Sequence, residues 1–463
     1  MPYAGNISGV NQPVADSRGA TQVSDQLRLR DFIASDHVRR ALLVLFSSII
    51  FVTIILSFRP FNASSDAPRI TGGDAVNQIG FITLLVISGF MMLTQVSSRK
   101  LRAVASPAWI LALGAMAVAV YMSNDSIAAG RALALALISA FVALNIIMVP
   151  ASVRDFRAVL VLTSTLVIVI SYIGLVLFPD AAVHSSGGYE AQHEGLWRGP
   201  FPHKNIAGPI FSILTIFGVY IYRSGDKAMG VVIALLSFIF VLKTGSKTTT
   251  GFLPMAIFAI LTARLFGSSK TAIFTVIITF LGAALLSVGT VYSENLRTIT
   301  NLFLDDTTFT GRDDLWHFGI DNVLTRPFFG FGFDNFWQTD MVKNGVIPAY
   351  SKWDFLNIVH GHNSYIDTML AFGFIGGPII IFVVYILPMI NYVRAYNDPS
   401  KRHLADMFMM VIAFTILLSL MEAFVLSRSD PIWIMHIFSV FGLQILARTH
   451  KNHASERQFQ SFK

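Results

Sequence analysis

The sequence contains no cysteine, and only 13% of its 463 residues are charged. Without cysteine the chain forms neither a disulfide bond nor a thiolate metal or redox site. Soluble domains carry about 25% charged residues, so the scarcity of charge excludes an ordinary soluble protein. In place of charge the chain is 54% hydrophobic, and the arrangement of those hydrophobic residues indicates the class of fold.

The hydrophobic residues are collected into about twelve apolar runs, each long enough to cross a hydrocarbon core of about 30 Å as a helix. Irregular backbone cannot face lipid, so these runs are predicted to be helices. They lie near 41–58, 78–96, 107–122, 132–149, 158–178, 206–222, 228–242, 251–266, 271–292, 368–393, 407–426 and 432–447. The predicted fold is an all-α polytopic membrane protein with about twelve transmembrane helices.

Lysine and arginine are concentrated in every second loop between these runs, for example at Arg99, Lys100 and Arg102. This is the positive-inside pattern, and it predicts that both termini lie in the cytoplasm of a protein of the bacterial inner membrane. The same pattern accounts for the net charge of +7, so nucleic acid is not expected as a partner.

The chain therefore divides into five predicted regions. Residues 1–38 are predicted to be a mostly disordered cytoplasmic tail, because they are rich in Ser, Gln, Asp and Gly. Residues 39–292 hold helices one to nine with an outer, periplasmic loop at 179–205. Residues 293–367 form a large periplasmic loop, 368–447 hold helices ten to twelve, and 448–463 are a cytoplasmic tail.

The large loop is rich in aromatic residues, so it is expected to fold onto the end of the helix bundle. It contains a predicted amphipathic helix with Thr310 as N-cap, Leu315 and Trp316 on the apolar face, and Pro327 as terminator. Such a helix is expected to lie on the bundle or on the membrane surface.

Basic residues on the outer face suit a substrate that carries phosphate. Arg198 and Arg312 are candidates for gripping a diphosphate, because a guanidinium binds phosphate oxygens in bidentate fashion. The alternative for each is a surface arginine that pairs with an acid such as Asp313 or with lipid phosphate. The lysines Lys204, Lys243 and Lys247 flank spans, where snorkelling is the alternative role. Lys247 also lies in a Gly/Ser/Thr-rich turn, at 243–250, of the kind that binds anions.

His360 and His362 stand just before the tenth span, where an imidazole is suited to accept a proton from a hydroxyl group. Asp367 is positioned to orient an imidazole, and Asn363 is a candidate cap of the span. Two histidines without a clear third ligand do not predict a metal site. An acid near the end of the eleventh span, Glu422, is a weaker candidate that is equally suited to pair with Arg428.

Several motifs resemble the O-antigen ligase and polymerase family. They are Leu196-Trp-Arg-Gly-Pro-Phe-Pro-His-Lys-Asn, Ser246-Lys247, Thr310-Gly-Arg-Asp-Asp-Leu-Trp, Arg326-Pro-Phe-Phe-Gly-Phe-Gly-Phe and His360-Gly-His-Asn-Ser-Tyr-Ile-Asp. The last motif and Gly373-Phe-Ile-Gly-Gly are most similar to exopolysaccharide polymerases of the ExoQ type. The resemblance covers about residues 196–380, and Lys247 stands where many relatives have arginine.

The resemblance implies a GT-C-like glycosyltransferase that needs no metal or other cofactor and inverts the anomeric centre. Its donor is then a glycan on undecaprenyl diphosphate at the periplasmic face. In this reading His362 is the general base, supported by His360 and Asp367. The donor is held by Arg198, Lys204, Lys247, Arg312 and Asn363. Expected partners are this lipid-linked glycan, membrane lipid, a chain-length regulator and export proteins.

Three functions remain open at this point. The first is a polymerase that joins lipid-linked repeat units in exopolysaccharide or O-antigen synthesis. The second is a ligase that transfers a finished glycan to the lipid A core. The third, a polysaccharide transporter or flippase, is disfavoured because the polar groups cluster at the outer edge of the predicted bundle instead of at its midplane.

Overall fold

A computed structural model describes residues 17–61, 75–185, 193–304, 306–333, 336–343 and 358–449. The predicted tails and both predicted outer loops lie partly outside these described residues. Within them the secondary structure is helical apart from one antiparallel bridge, Val183 to Trp197. The helices are α1 (Ser17–Leu56), α2 (Ala75–Gln95), α3 (Ser98–Val104), α4 (Pro107–Tyr121), α5 (Ser126–Met148), α6 (Val153–Leu177), α7 (Pro179–Ala182), α8 (Lys204–Arg223), α9 (Lys227–Lys243), α10 (Lys247–Leu265), α11 (Ser269–Leu285), α12 (Glu294–Asn301), α13 (Arg312–Val323), α14 (Asp340–Lys343), α15 (Ser364–Ile381), α16 (Leu387–Tyr396), α17 (Arg402–Leu418) and α18 (Pro431–Arg448).

Nine helical segments in the described part of the chain are long and apolar enough to cross a membrane. A tenth is counted if α3 and α4, which are bent by 59° to each other, form one broken span. The two remaining predicted spans, near 228–242 and 407–426, correspond to α9 and α17, which have 17 residues each. The prediction of an all-helical, multi-pass membrane protein is confirmed, and the count of twelve spans stays a prediction.

The first helix differs from its predicted extent. α1 begins at Ser17, so residues 17–38 are helical although the sequence predicts a mostly disordered tail up to residue 38. The helix continues on its N-terminal side because that segment contains good helix formers such as Gln26, Leu27 and Arg28 and no proline.

Two helices form the centre of the bundle. Every residue from Leu404 to Leu418 in α17 is buried, and so is every residue from Ile432 to Gln444 in α18. Peripheral helices such as α11 instead expose large apolar side chains, including Phe274 and Ile278, as a surface against lipid requires.

The helix α15 is broken at Gly373, which has φ 62° and ψ −168°. Residues 327–333 lie against this break, where the N–H of Phe331 donates to the carbonyl of Leu370 at 2.7 Å and the N–H of Phe374 donates to that of Pro327 at 2.6 Å. Gly330 has no room for a side chain, because a Cβ there would lie 2.4 Å from the Leu370 oxygen. The segment therefore supplies hydrogen-bond partners that the broken helix lacks.

The predicted loop helix exists as α13, and it lies on the bundle. Leu315, Trp316, Gly319 and Val323 are buried, and Gly319 faces Ile366 of α15. The predicted N-cap is wrong. It is Gly311 and not Thr310, because both residues adopt positive φ and the helix starts only at Arg312. The helix ends at Val323 with Leu324 as C-cap, ahead of Pro327, which agrees with Pro327 as the terminator.

Candidate active site

The segments after α6, α9, α11 and α17 meet at one end of the bundle, which we call the site face. Trp197 donates its N–H to the carbonyl of Lys243 at 3.0 Å, and Ser364 donates its N–H to the carbonyl of Ser419 at 2.8 Å. These backbone contacts join segments that are far apart in the sequence. Most of the residues that the sequence analysis singles out lie on this face.

The carboxylate of Glu422 is the centre of a charged cluster on the site face. One oxygen accepts a hydrogen bond from Nη2 of Arg312 at 2.9 Å, and the other lies 3.1 Å from Nδ1 of His362. All three side chains are between 14% and 23% exposed, so the cluster is largely shielded from water while its edge stays accessible. The arrangement joins an arginine and an imidazole through one shared carboxylate.

The backbone around His362 is fixed from both sides. His362 has φ 50°, a left-handed conformation that is uncommon for a residue with a side chain. Before it, the N–H of Gly361 donates to both oxygens of Asp367, which also accepts from Nε1 of Trp337 at 2.8 Å. After it, Asn363 caps α15. Asp367 therefore holds the backbone next to the imidazole.

The second histidine lies beside the first. The rings of His360 and His362 are perpendicular, with centroids 4.3 Å apart, and the backbone N–H of His362 donates to Nδ1 of His360 at 3.4 Å. His360 thus packs against the face of the catalytic candidate, which fits the supporting role implied by the family resemblance.

The turn that follows α17 is held by residues of the family motifs. Backbone carbonyls outside a helix need hydrogen-bond partners from elsewhere in the structure. Here the carbonyl of Leu420 accepts from Nδ2 of Asn363, that of Met421 accepts from Nη1 of Arg312, and that of Glu422 accepts from Oγ of Ser364. The motif residues therefore position the turn that carries Glu422.

Asn363 has a different place from the one implied by the resemblance. Its side chain is buried, with the residue 1% exposed. Its Oδ1 accepts hydrogen bonds from the N–H groups of Tyr365 and Ile366, and its Nδ2 donates one to the carbonyl of Leu420. A buried amide with these partners suits a positioning role better than contact with a sugar.

Arg312 follows a strained turn. Phe309, Thr310 and Gly311 all have positive φ, between 50° and 81°. Asp306 organises this turn, because its carboxylate accepts from the N–H groups of Thr308 and Thr310 and from the Thr308 hydroxyl. Such strain is typical of functional sites, and here it directs Arg312 towards Glu422.

The ion pair lowers the pKa of Glu422 to about 2. Burial by itself raises this pKa, but the charge of Arg312 and the hydrogen bond and charge of His362 outweigh it. The carboxylate is therefore ionised at neutral pH. It is suited to hold the imidazole in the tautomer that carries hydrogen on Nδ1, which leaves the lone pair on Nε2.

Lys247 is exposed at the start of α10, and its positive charge helps to lower the pKa of Asp306, after the hydrogen bonds from Thr308 and Thr310. It therefore lies on the same side as the turn that carries Arg312. Lys243 lies over the ring of Trp197, 6.0 Å from its centroid. Of the two lysines in this region, Lys247 is therefore the one near the Asp306 turn that precedes Arg312.

Arg198 and Lys204 belong to the neighbouring segment, and both are buried. Arg198 donates from Nη1 to the carbonyl of Pro202 at 3.2 Å, and the backbone N–H of Lys204 donates to Nε2 of His184 at 3.2 Å. The structure thus brings Arg312, His360 and His362 together around Glu422. It places Arg198 and Lys204 in a second group beside them.

Glu422 is the residue that sequence reasoning underrated. Its position at the end of an apolar run indicates a functional acid, but on the sequence alone Arg428 is an equally good partner for an ion pair. In the structure its two oxygens are engaged by Arg312 and His362, which are 110 and 60 positions away in the sequence. A contact over that separation has no local sequence pattern.

Part of this chain is similar to known proteins. Residues 232–381 match the family model described as O-antigen ligase, a range that includes Lys247, Arg312 and His362 but neither Arg198 nor Glu422. The Exopolysaccharide production protein ExoQ of Rhizobium meliloti (strain 1021) is 27% identical over 144 residues, which cover 30% of this chain and 30% of that protein. The match thus spans under a third of the relative's length.

The fold is that of a multi-pass membrane protein. Residues 232–381 are similar to a family whose members are glycosyltransferase-like polymerases or ligases, so the resemblance noted in the sequence is confirmed over this range.

Proposed function

We propose that this protein is a polymerase that joins undecaprenyl-diphosphate-linked oligosaccharide repeat units at the periplasmic face of the inner membrane. The observation that carries the proposal is the His362–Glu422–Arg312 cluster at the site face. It combines a candidate base, a carboxylate that orients it and a cation within one partly shielded site.

In the proposed reaction the acceptor hydroxyl attacks the anomeric carbon of the donor sugar. Nε2 of His362 takes the hydroxyl proton while Nδ1–H stays donated to Glu422, as in other histidine–carboxylate pairs. The new C–O bond forms on the face opposite to the bond that breaks, so the anomeric configuration inverts. The leaving group is undecaprenyl diphosphate, which departs with the bonding electron pair.

The leaving diphosphate needs positive charge near it. Arg312 uses two of the five N–H groups of its guanidinium for Met421 and Glu422, so further donors remain for a phosphate oxygen. We assign the second contact to Lys247, which is exposed beside the Asp306 turn. Arg198 and Lys204, in the adjoining segment, are proposed to add positive potential behind it.

The relative from Rhizobium meliloti is named for exopolysaccharide production, which favours polymerase. The description of the family model, O-antigen ligase, makes ligase the second candidate. Both candidates use the same donor, and they differ in the acceptor hydroxyl. The group of polar residues at one end of the bundle favours either of them over a transporter.

The glycolipids of a strain that lacks this protein distinguish the candidates. A polymerase predicts accumulation of single lipid-linked repeat units. A ligase predicts long lipid-linked chains that do not reach an acceptor. A deletion strain with unchanged lipid-linked intermediates and normal polymer would contradict both.

A further inference from the structure

A chain of buried polar side chains runs from the interior of the bundle to the turn that carries Glu422. We call it the polar column, and it consists of His436, Thr415, Ser419, Tyr385 and Ser364. Each of these residues is at most 4% exposed. Polar groups at such depth are costly unless they are hydrogen-bonded, so their arrangement constrains the helices that carry them.

The direction of the hydrogen bonds at Ser419 follows from the number of hydrogens. Its hydroxyl donates to the carbonyl of Thr415 at 2.8 Å, and a serine has one hydrogen to give. The hydroxyl of Tyr385, 2.6 Å from Ser419 Oγ, is therefore the donor in that contact. Tyr385 thus fixes the position of Ser419 at the end of α17.

Tyr385 is held in place by an irregular turn. Phe382–Ile386 form a π-helical turn between α15 and α16, a feature that often occurs at functional sites. The carbonyl of Val384 in this turn lies 3.0 Å from Nε2 of His436, which must donate because a carbonyl only accepts. Nδ1 of the same imidazole lies 2.8 Å from the hydroxyl of Thr415, which also donates to backbone carbonyls of its own helix.

At its upper end the polar column reaches the charged cluster through Ser364. The N–H of Ser364 donates to the carbonyl of Ser419 at 2.8 Å, and its hydroxyl donates to the carbonyl of Glu422 at 2.8 Å. The same hydroxyl accepts from the N–H of Phe424 at 3.1 Å. Ser364 thus contacts the turn at residues 419, 422 and 424.

We propose that Tyr385, Ser419 and Ser364 are positioning residues that set the distance between Glu422 and His362. The inference rests on the proposed function, because it gives these residues a role in glycosyl transfer through that pair. Removal of one of these hydroxyls from the polar column allows the turn that carries Glu422 to shift. Small displacements of a catalytic group lower the rate of reaction strongly. Binding of the donor, which we assign to Lys247 and Arg312, changes less.

The test is a double-mutant cycle on the full-length protein in proteoliposomes, with lipid-linked repeat units extracted from the deletion strain as substrate. Tyr385→Phe and Ser419→Ala are each expected to lower kcat about tenfold and to leave KM for the donor nearly unchanged. In a Glu422→Gln background Tyr385→Phe is expected to cause no further loss, because its effect passes through that carboxylate. Ser419→Thr, which keeps the hydroxyl, is expected to restore most of the rate.

The matched controls are Tyr392→Phe and Ser212→Ala. These residues are equally buried, and their hydroxyls bind Asp406 and the carbonyl of Gly208, neither of which belongs to the polar column or to the charged cluster. Both controls are expected to keep kcat per folded molecule. Equal losses in the controls, or a further tenfold loss from Tyr385→Phe in the Glu422→Gln background, would show a general structural role and overturn the inference.

Failure of the proposed function is recognisable separately. If wild-type protein does not extend the repeat units, or if His362→Ala is as active as wild type, the assignment of the reaction is wrong. If wild type is active, His362→Ala is inactive and the Tyr385 and Ser419 variants match wild type in kcat, only the positioning role is refuted.

Discussion

Two of the arginine–carboxylate pairs among the described residues use the same chemistry at different places in the bundle. On the site face Arg312 pairs with Glu422, which also meets His362. Near the start of α17 Arg223 pairs with Asp406 at 2.5 Å, and Tyr392 donates to the other oxygen of that carboxylate at 2.9 Å. The side chain of Glu422 is 15% exposed, whereas that of Asp406 is 1% exposed.

The difference separates the catalytic role that we propose for Glu422 from the structural role of Asp406. Asp406 ties α8, α16 and α17 together, and no substrate can reach a carboxylate that is fully enclosed. Glu422 keeps one edge accessible, and its second partner is an imidazole able to take up a proton. Burial and the identity of the third residue therefore decide the role, not the ion pair itself.

The largest expected effect is on His362. His362→Ala removes the proposed base and should lower the rate of transfer by about 10³-fold or more while the protein still accumulates in the membrane. His317→Ala is the matched control, because it makes the same substitution elsewhere on the loop. Polymer of normal length from the His362 variant would remove the basis for assigning the site face as the active site.

The two carboxylates offer the most direct contrast. Glu422→Gln should lower kcat about 10²-fold, because the amide does not orient the imidazole as a carboxylate does. Asp406→Asn should instead lower the free energy of unfolding by about 3 kcal/mol, because Arg223 is left buried without its counter-charge. Activity assays in proteoliposomes and thermal unfolding in detergent measure the two effects. The contrast fails if Asp406→Asn abolishes turnover without any loss of stability.

A smaller effect is expected at the proposed diphosphate contact. Lys247→Ala should raise KM for the lipid-linked donor about tenfold with little change in kcat, since the ammonium contributes to binding before and during the reaction. Lys243→Ala, which removes the lysine over Trp197, serves as the control and should change KM less than about twofold. A lowered kcat with unchanged KM would move Lys247 from donor binding to the chemical step.

The pH dependence of stability gives the smallest signal. The pKa of Glu422 is lowered to about 2 by Arg312 and His362 acting against burial. A carboxylate whose pKa is lowered in the folded state stabilises that state at pH values above its unfolded pKa of about 4.5. This stabilisation is lost as the pH falls towards 2. The difference in melting temperature between wild type and Glu422→Gln should therefore shrink as the pH falls from about 4.5 towards 2. Loss of the difference already at pH 6 would contradict the depressed pKa.

The class of fold was predictable because membrane spans follow from local hydrophobicity. The loop helix around Leu315 and Trp316 was likewise predictable from its periodicity, although its cap was not, since positive φ at Thr310 depends on the Asp306 carboxylate. The candidate histidines stood out by their position before a span. Their connection to Glu422 could not be foreseen, because it depends on how α17 ends beside α15. The length and composition of each helix do not specify which helix ends lie next to each other in the bundle.

The break in α15 has a practical consequence for exchanging parts between relatives. Residues 327–333 and the stretch around Gly373 hold each other by backbone hydrogen bonds, with glycine at the points of closest approach. Neither of these two segments can be exchanged without the other. A chimera that imports a foreign outer loop for altered sugar specificity must import the matching half of α15 with it, or the graft will leave unsatisfied carbonyls at membrane depth.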